Sequence, residues 1–83
     1  MYIHLGNDVV ISAQNVIAIV NIDEPLSADL QDIIDMATVE KKLLKITDQE
    51  KNKALVICDD CVYISPISSN TLYKRANNYY KEV

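Results

Sequence analysis

Short apolar runs separated by polar turns make up the first quarter of the chain. Residues 2–5 and 9–12 are β-type runs on either side of Gly6-Asn7-Asp8, a turn typical of hairpins. After a second turn at 13–15, the run at 16–22 is apolar at nearly every position. Because a strand that is apolar on both faces is usually buried on both, this run predicts a central strand or a strand at a subunit interface.

A helical period replaces the strand pattern after Pro25. Ser27 is a favoured N-cap, and two aspartates follow it in or near the first turn, where the helix dipole favours acids. The apolar residues then recur at helical spacing, which predicts one buried stripe. The stripe consists of Leu30, Ile33, Ile34 and Ala37, and the helix should end near residues 37–39.

The second half of the chain returns to strands. Residues 43–47 and 53–58 predict strands joined by a polar tip at 48–52, and Asp59-Asp60 fits a two-residue hairpin loop before a strand at 61–65. This register pairs Cys58 with Cys61, Ile57 with Val62, Val56 with Tyr63 and Leu55 with Ile64. Both faces of the hairpin are then apolar. Because one helix covers only one face of a small sheet, the other face needs the first hairpin or another subunit.

Pro66 ends the last strand and a second helix follows. Ser68, Ser69 or Asn70 should cap this helix, which extends to about Lys81. Its apolar stripe consists of Leu72, Ala76, Tyr79 or Tyr80, and Val83. We therefore predict one α+β domain over residues 1–83: a small antiparallel sheet of hairpins with two short helices, oligomeric because a chain this short has apolar surface to spare.

Charge is distributed unevenly along the chain. The net charge is −4, which argues against indiscriminate nucleic-acid binding. Residues 23–40 carry six acids and no base, whereas residues 41–53 carry five lysines and two acids. Such dipolar subunits can pack acidic side to basic side, or present one basic face outward. The sequence shows no membrane span or signal-peptide pattern, so we expect a cytoplasmic protein with reduced cysteines and no membrane partner.

The residues that could carry chemistry do not form a recognisable site. Cys58 and Cys61 make a C-x-x-C, but no second pair of ligands accompanies it, and His4 is the sole histidine. The aspartates at 29, 32 and 35 do not share one helix face, and serines 65, 68 and 69 suit capping better than catalysis. We therefore expect no catalytic residue, metal, cofactor or small-molecule substrate, and no enzymatic activity.

One block of the sequence resembles a known family. Tyr63-x-Ser65-Pro66-x-Ser68-Ser69-x-Thr71-Leu72-x-Lys74-Arg75-Ala76 is similar to the C-terminal signature of the bacterial extracellular matrix regulatory proteins (RemA/RemB), with the RemB-like branch as the better match. The segments 1–6 and 12–20 resemble the same branch. The resemblance thus touches both ends of the chain.

The resemblance implies a regulator of extracellular matrix, or biofilm, genes that binds double-stranded DNA as a closed ring, such as an octamer. In RemA-like members an arginine-rich hairpin contacts DNA, and its counterpart here is Gln49-Glu50-Lys51-Asn52-Lys53. A further family arginine is replaced by Asn15. The residues expected to contact DNA are therefore Lys45, Lys51, Lys53 and Asn15.

Two functional hypotheses stay open at this point. In the first, a homo-oligomer binds DNA through these lysines. In the second, the chain is a protein-interaction or scaffold paralogue that kept the assembly and lost DNA contact, and that pairs with a paralogous regulator. Under either hypothesis the subunit interface is expected to use the second apolar face and the basic helix, where tyrosine and arginine suit protein contacts. Those residues are Val56, Cys58, Cys61, Tyr63, Tyr73 and Arg75.

Overall fold

A computed structural model describes residues 2–22, 25–48 and 51–81, with side chains described as far as residue 76. The predicted positions 49–50 and 83, and the side chains of Tyr79, Tyr80 and Lys81, lie outside this description. The described residues form six strands and two α-helices: β1 (Tyr2–Gly6), β2 (Val9–Ser12), β3 (Val16–Asn21), α1 (Ala28–Val39), β4 (Leu43–Lys45), β5 (Ala54–Cys58), β6 (Val62–Ser65) and α2 (Ser69–Lys81). The α+β class and both helices are as predicted.

The first hairpin forms where the turn signal predicts it. Strands β1 and β2 are antiparallel, and Gly6 pairs with Val9. The two loop residues between them, Asn7 and Asp8, have φ of 46° and 65°, the left-handed conformation of a tight hairpin turn. Gly6 itself has φ of 109°, which a residue with a Cβ rarely adopts.

The remaining strands form one four-stranded sheet in the order β3-β5-β6-β4. The β5–β6 hairpin has the predicted register, with Leu55 opposite Ile64 and Ile57 opposite Val62. The prediction of a wholly antiparallel sheet was wrong, because β4 pairs with β6 in parallel. The predicted hairpin between residues 45 and 53 is therefore not a hairpin, since β6 lies between the two strands.

The end of α1 accounts for the parallel pairing. The Lys42 amide donates to the Ala37 carbonyl at 2.8 Å, which closes the helix C-terminus. The Val62 amide donates to the Lys42 carbonyl at 2.9 Å, so the chain leaves the helix beside the first residue of β6. From that point β4 can only run in the direction of β6.

Strand β3 lies at an edge of the sheet, where β5 is its one partner strand among the described residues. The prediction of a central strand was therefore wrong. The alternative, a strand at a subunit interface, stays a prediction. The residues of β3 are unevenly buried: Ile19 is buried, whereas Ile17 is 68% exposed. The apolar run in the sequence did not distinguish a strand with a neighbouring strand at each edge from a strand with one neighbour.

Each face of the sheet has its own apolar core. One cluster joins Leu55, Val62 and Ile64 to Leu30 and Ala37 of α1. The other joins the opposite face to the first hairpin and α2, and its buried members are Ile3, Leu5, Ile11, Ile19, Ile46, Ala54, Val56, Cys58 and Leu72. The first hairpin and α2 thus cover the face that the sequence left unassigned.

Both helices begin at the predicted serines. The Ser27 hydroxyl accepts from the Leu30 amide at 3.2 Å, and the Ser68 hydroxyl accepts from the Thr71 amide at 3.3 Å. Each hydroxyl satisfies an amide that has no partner within its helix. Helix α1 has Leu30 and Ala37 buried, as the predicted stripe requires, while Ile33 at 36% exposure lies at its margin.

Candidate functional site

Lysine side chains gather at one end of the four-stranded sheet. Lys45 ends β4 opposite Ile64, and Lys53 immediately precedes β5, where its amide donates to the Ser65 carbonyl at 2.9 Å. Lys51 is two residues earlier and is exposed, as are the other two lysines. Because Ile64 and Ser65 are adjacent in β6, Lys45 and Lys53 lie on strands flanking the same end of that strand. We call Lys45, Lys51 and Lys53 the lysine end.

Asn15 lies at the opposite end of the sheet. Its carbonyl accepts from the Asp59 amide at 3.0 Å, beside the turn that joins β5 to β6. A strand rises about 3.3 Å per residue, so Lys53 and Asp59 are separated by roughly 20 Å along β5. The structure therefore brings three of the predicted DNA contacts together and separates the fourth from them within one subunit.

Acidic side chains lie beside both the lysine end and Asn15. At the lysine end, the Lys45 ammonium is 3.5 Å from an Asp48 carboxylate oxygen, and both side chains are exposed. Exposed pairs of this kind contribute little to stability, but they reduce the positive charge available to a phosphate. Beside Asn15, Asp59 and Asp60 are exposed in the turn. A nucleic acid would therefore meet positive charge at the lysine end and negative charge at Asn15.

The predicted interface residues divide into two groups. Val56 is 0% exposed and Cys58 is buried, both inside the core of their own subunit, while Cys61 and Tyr63 are half-buried beside them. By contrast, Tyr73 and Arg75 are exposed on α2. Tyr73 and Arg75 on the second helix are thus the main members of this set that a partner could contact without rearrangement of the subunit.

Hydrogen bonds fix the exposed residues of α2 against neighbouring strands. The Tyr73 hydroxyl donates to the Ile19 carbonyl at 2.6 Å, and the Arg75 guanidinium donates to the His4 carbonyl at 2.7 Å. The first bond covers a carbonyl of the edge strand β3, and the second connects α2 to β1. These side chains are therefore held in place on the surface, which lowers the entropic cost of using them in a contact.

The cysteine pair has the environment of buried apolar residues. Both thiols are free, and the Cys58 amide donates to the Cys61 carbonyl at 2.9 Å across the turn. Burial, reinforced by the neighbouring Cys61 thiol and the aspartates of the turn, raises the pKa of Cys58 to about 11. A side-chain hydrogen bond with Cys61, followed by burial, raises the pKa of Tyr63 to about 12. A raised thiol pKa is the opposite of what a reactive cysteine requires.

The hydroxyls of Ser65 and Ser68 make hydrogen bonds that support the fold. The buried Ser65 hydroxyl donates to the Leu5 carbonyl at 2.8 Å and accepts from the Ile67 amide at 3.1 Å. Ser68 caps α2, and His4 is exposed on the first hairpin. Across the described residues, no group of three or more histidine, cysteine or acidic side chains is arranged to hold a metal ion.

The structure also exposes apolar side chains that the sequence analysis missed. Met36 and Val39 of α1 are 68% and 82% exposed, on a different side of the helix from the buried Leu30. With Ile33 they recur every three residues, and this spacing was the available signal for a second apolar face. Within the described part of the chain, neither helix has the length and apolar character needed to cross a membrane.

Comparison with known proteins places the chain in a family. The family model described as RemA-like, extracellular matrix regulatory protein A-like, matches residues 2–76. Extracellular matrix regulatory protein B of Bacillus subtilis (strain 168) is 32% identical over 78 residues, which cover 92% of this chain and 90% of that protein. Proteins of Bacillus cytotoxicus and Bacillus mycoides, provisionally named regulatory proteins, are 33% identical over 93% of this chain and 86% of their own length. The chain therefore belongs to the extracellular matrix regulatory protein family, as its C-terminal signature predicted.

Proposed function

We propose that this protein is a non-enzymatic, cytoplasmic regulator of extracellular matrix genes that binds double-stranded DNA as a homo-oligomer. The observation that carries the proposal is the lysine end, where Lys45, Lys51 and Lys53 lie exposed at one end of the sheet in a regulator-family fold. The lysines would contact phosphates and release counterions. One subunit offers few such contacts, so binding depends on repetition of the lysine end around a ring-like assembly.

Fluorescence anisotropy with a labelled duplex tests the proposal. The protein should bind at about 50 mM salt and weaken at least tenfold at about 200 mM, because each neutralised phosphate adds to the salt dependence. The double variant Lys51→Gln/Lys53→Gln should weaken binding to all sequences similarly and flatten the salt dependence. Absence of binding by a folded oligomer at the lower salt would refute the DNA-binding role.

A matched control separates position from net charge. Lys41→Gln/Lys42→Gln removes the same charge from the C-terminal end of α1, at the Val62 end of β6. This variant should bind DNA within about twofold of the unmodified protein, since only a general charge effect remains. Equal weakening by both double variants would show that the lysine end is not the contact surface.

A second candidate function is a scaffold that assembles without DNA and pairs with a paralogous regulator. The observation in its favour is an acid next to two of the four predicted contacts: Asp48 is paired with Lys45, and Asp59 lies beside Asn15. Affinity capture from a lysate of the source bacterium, with and without nuclease, discriminates the two. A related regulator retained after nuclease treatment, together with no DNA binding in anisotropy, would support the scaffold.

A further inference from the structure

One exposed side of α1 combines apolar and acidic residues. Ile33, Met36 and Val39 follow one another at three-residue steps, and Met36 and Val39 are largely exposed. Met36 and Val39 line a surface depression together with three acids. We call this the acidic patch, and its members are Ile33, Met36, Val39, Asp32, Asp35 and Glu40. Exposed apolar side chains grouped in this way typically mark a contact surface.

A second exposed surface combines apolar and basic residues. Ile17 of β3 is 68% exposed and Tyr73 of α2 is 47% exposed, and both line one depression. Lys74 and Arg75 follow Tyr73 on α2 and are exposed. We call Ile17, Tyr73, Lys74 and Arg75 the basic patch. Its Tyr73 and Arg75 are already fixed by hydrogen bonds to backbone carbonyls, so little side-chain entropy is lost when they are covered.

The two patches lie on opposite sides of the subunit. Helix α1 packs near β4 and covers the sheet face that contains Leu55, whereas α2 packs against β1 and β3. Strands β3 and β4 are the two edges of the sheet. The patches are therefore at opposite edges and on opposite faces of the sheet, with the sheet between them.

We propose that the acidic patch of one subunit binds the basic patch of a second copy of the same chain. This inference rests on the homo-oligomer in the proposed function and assigns the surfaces that build it. Opposite charge around exposed apolar residues makes the two surfaces complementary, whereas an acidic surface repels nucleic acid. Two different surfaces in contact give a head-to-tail arrangement, which closes into a ring when the rotation per subunit permits.

Single-patch variants and their mixture test this arrangement. Met36→Lys places a positive charge in the acidic patch and keeps a good helix former, and Ile17→Glu places a negative charge in the basic patch. In sedimentation velocity, each variant alone should self-associate roughly tenfold or more weakly than the unmodified protein, because an apolar contact is replaced by like charges. An equimolar mixture should form a dimer of the two variants, since each mixed pair retains one intact acidic patch facing one intact basic patch.

Val10→Lys changes a half-exposed apolar strand residue outside both patches and should leave the mass distribution unchanged. Circular dichroism establishes that all variants are folded. Unchanged assembly of the single variants, or a mixture that stays monomeric, overturns the head-to-tail interface while leaving the DNA-binding proposal open. An unmodified protein that is monomeric throughout would overturn both this inference and the homo-oligomer.

Discussion

Single side chains in this protein take their roles from burial more than from residue type. The C-x-x-C at Cys58 and Cys61 could be mistaken for a metal or redox motif, yet its first thiol is buried with a pKa raised to about 11. The sequence correctly indicated two small residues facing each other across a turn. It could not indicate the raised pKa, which depends on the first hairpin and α2 covering that side of the sheet.

The raised pKa predicts slow modification of Cys58. In a Cys61→Ser variant, which leaves burial as the main cause of the shift, iodoacetamide should label the folded protein much more slowly than the protein in urea. The rate in the folded variant should still be rising at pH values above the ordinary thiol pKa of 9, because burial keeps the pKa of Cys58 raised and the thiolate is the reacting form. Equal rates in the folded and unfolded chain would contradict this environment. Mass spectrometry after timed quenching gives both rates.

The raised pKa of Cys58 also determines how the stability of the fold depends on pH. The folded state holds the Cys58 proton more tightly than the unfolded state does, so the folded state is favoured while the thiol is neutral. This contribution is fully present below pH 9 and is lost as the pH rises from 9 to about 11. The Tyr63 hydroxyl acts in the same direction, over a window from 10 to about 12.

At the scale of elements, short sequence signals predicted the structures that depend on neighbouring residues. The β5–β6 register followed from a two-residue loop between apolar runs, and α1 followed from its cap and stripe. The parallel pairing of β4 and the edge position of β3 were not predictable in this way. The pairing of β4 depends on where α1 ends relative to β6, and the position of β3 depends on which strands pair with β5. Both are properties of the assembled sheet.

The first hairpin is joined to the larger sheet by a buried hydrogen bond that also required the assembled structure. Ser65 of β6 donates to the Leu5 carbonyl of β1, and its oxygen accepts from the Ile67 amide before α2. We predict that Ser65→Ala lowers the free energy of unfolding by about 1–3 kcal/mol, because it leaves buried polar groups without a partner. Urea unfolding measures this loss.

A second serine provides the comparison for that experiment. The Ser12 hydroxyl accepts from the Gln14 amide at 3.3 Å in an exposed turn. Ser12→Ala should change the free energy of unfolding by about 0.5 kcal/mol or less, since water replaces the lost bond. Similar losses for the two variants would show that Ser65 does not hold the two sheets together.

At the scale of the whole molecule, the arrangement of charge matters more than its total. The net charge is −4, yet the lysine end, the acidic patch and the basic patch occupy separate parts of the surface. The sequence anticipated acidic and basic segments, and it selected the lysines that the fold gathers. The family resemblance added Asn15 to these lysines, and only the fold shows that a strand length separates Asn15 from them. Tyr73 was predicted as an interface residue, whereas the exposure of Ile17, Met36 and Val39 became evident only from the fold.

We propose that an oligomer of this chain, and not a single subunit, binds DNA. Sedimentation velocity of a labelled duplex with the unmodified protein at about 50 mM salt tests it in one experiment, because the DNA signal reports how many subunits it carries. We predict that the duplex sediments with several subunits at every protein concentration at which it is bound. A duplex that carries one subunit, or that sediments as free DNA beside an intact protein oligomer, would contradict the claim.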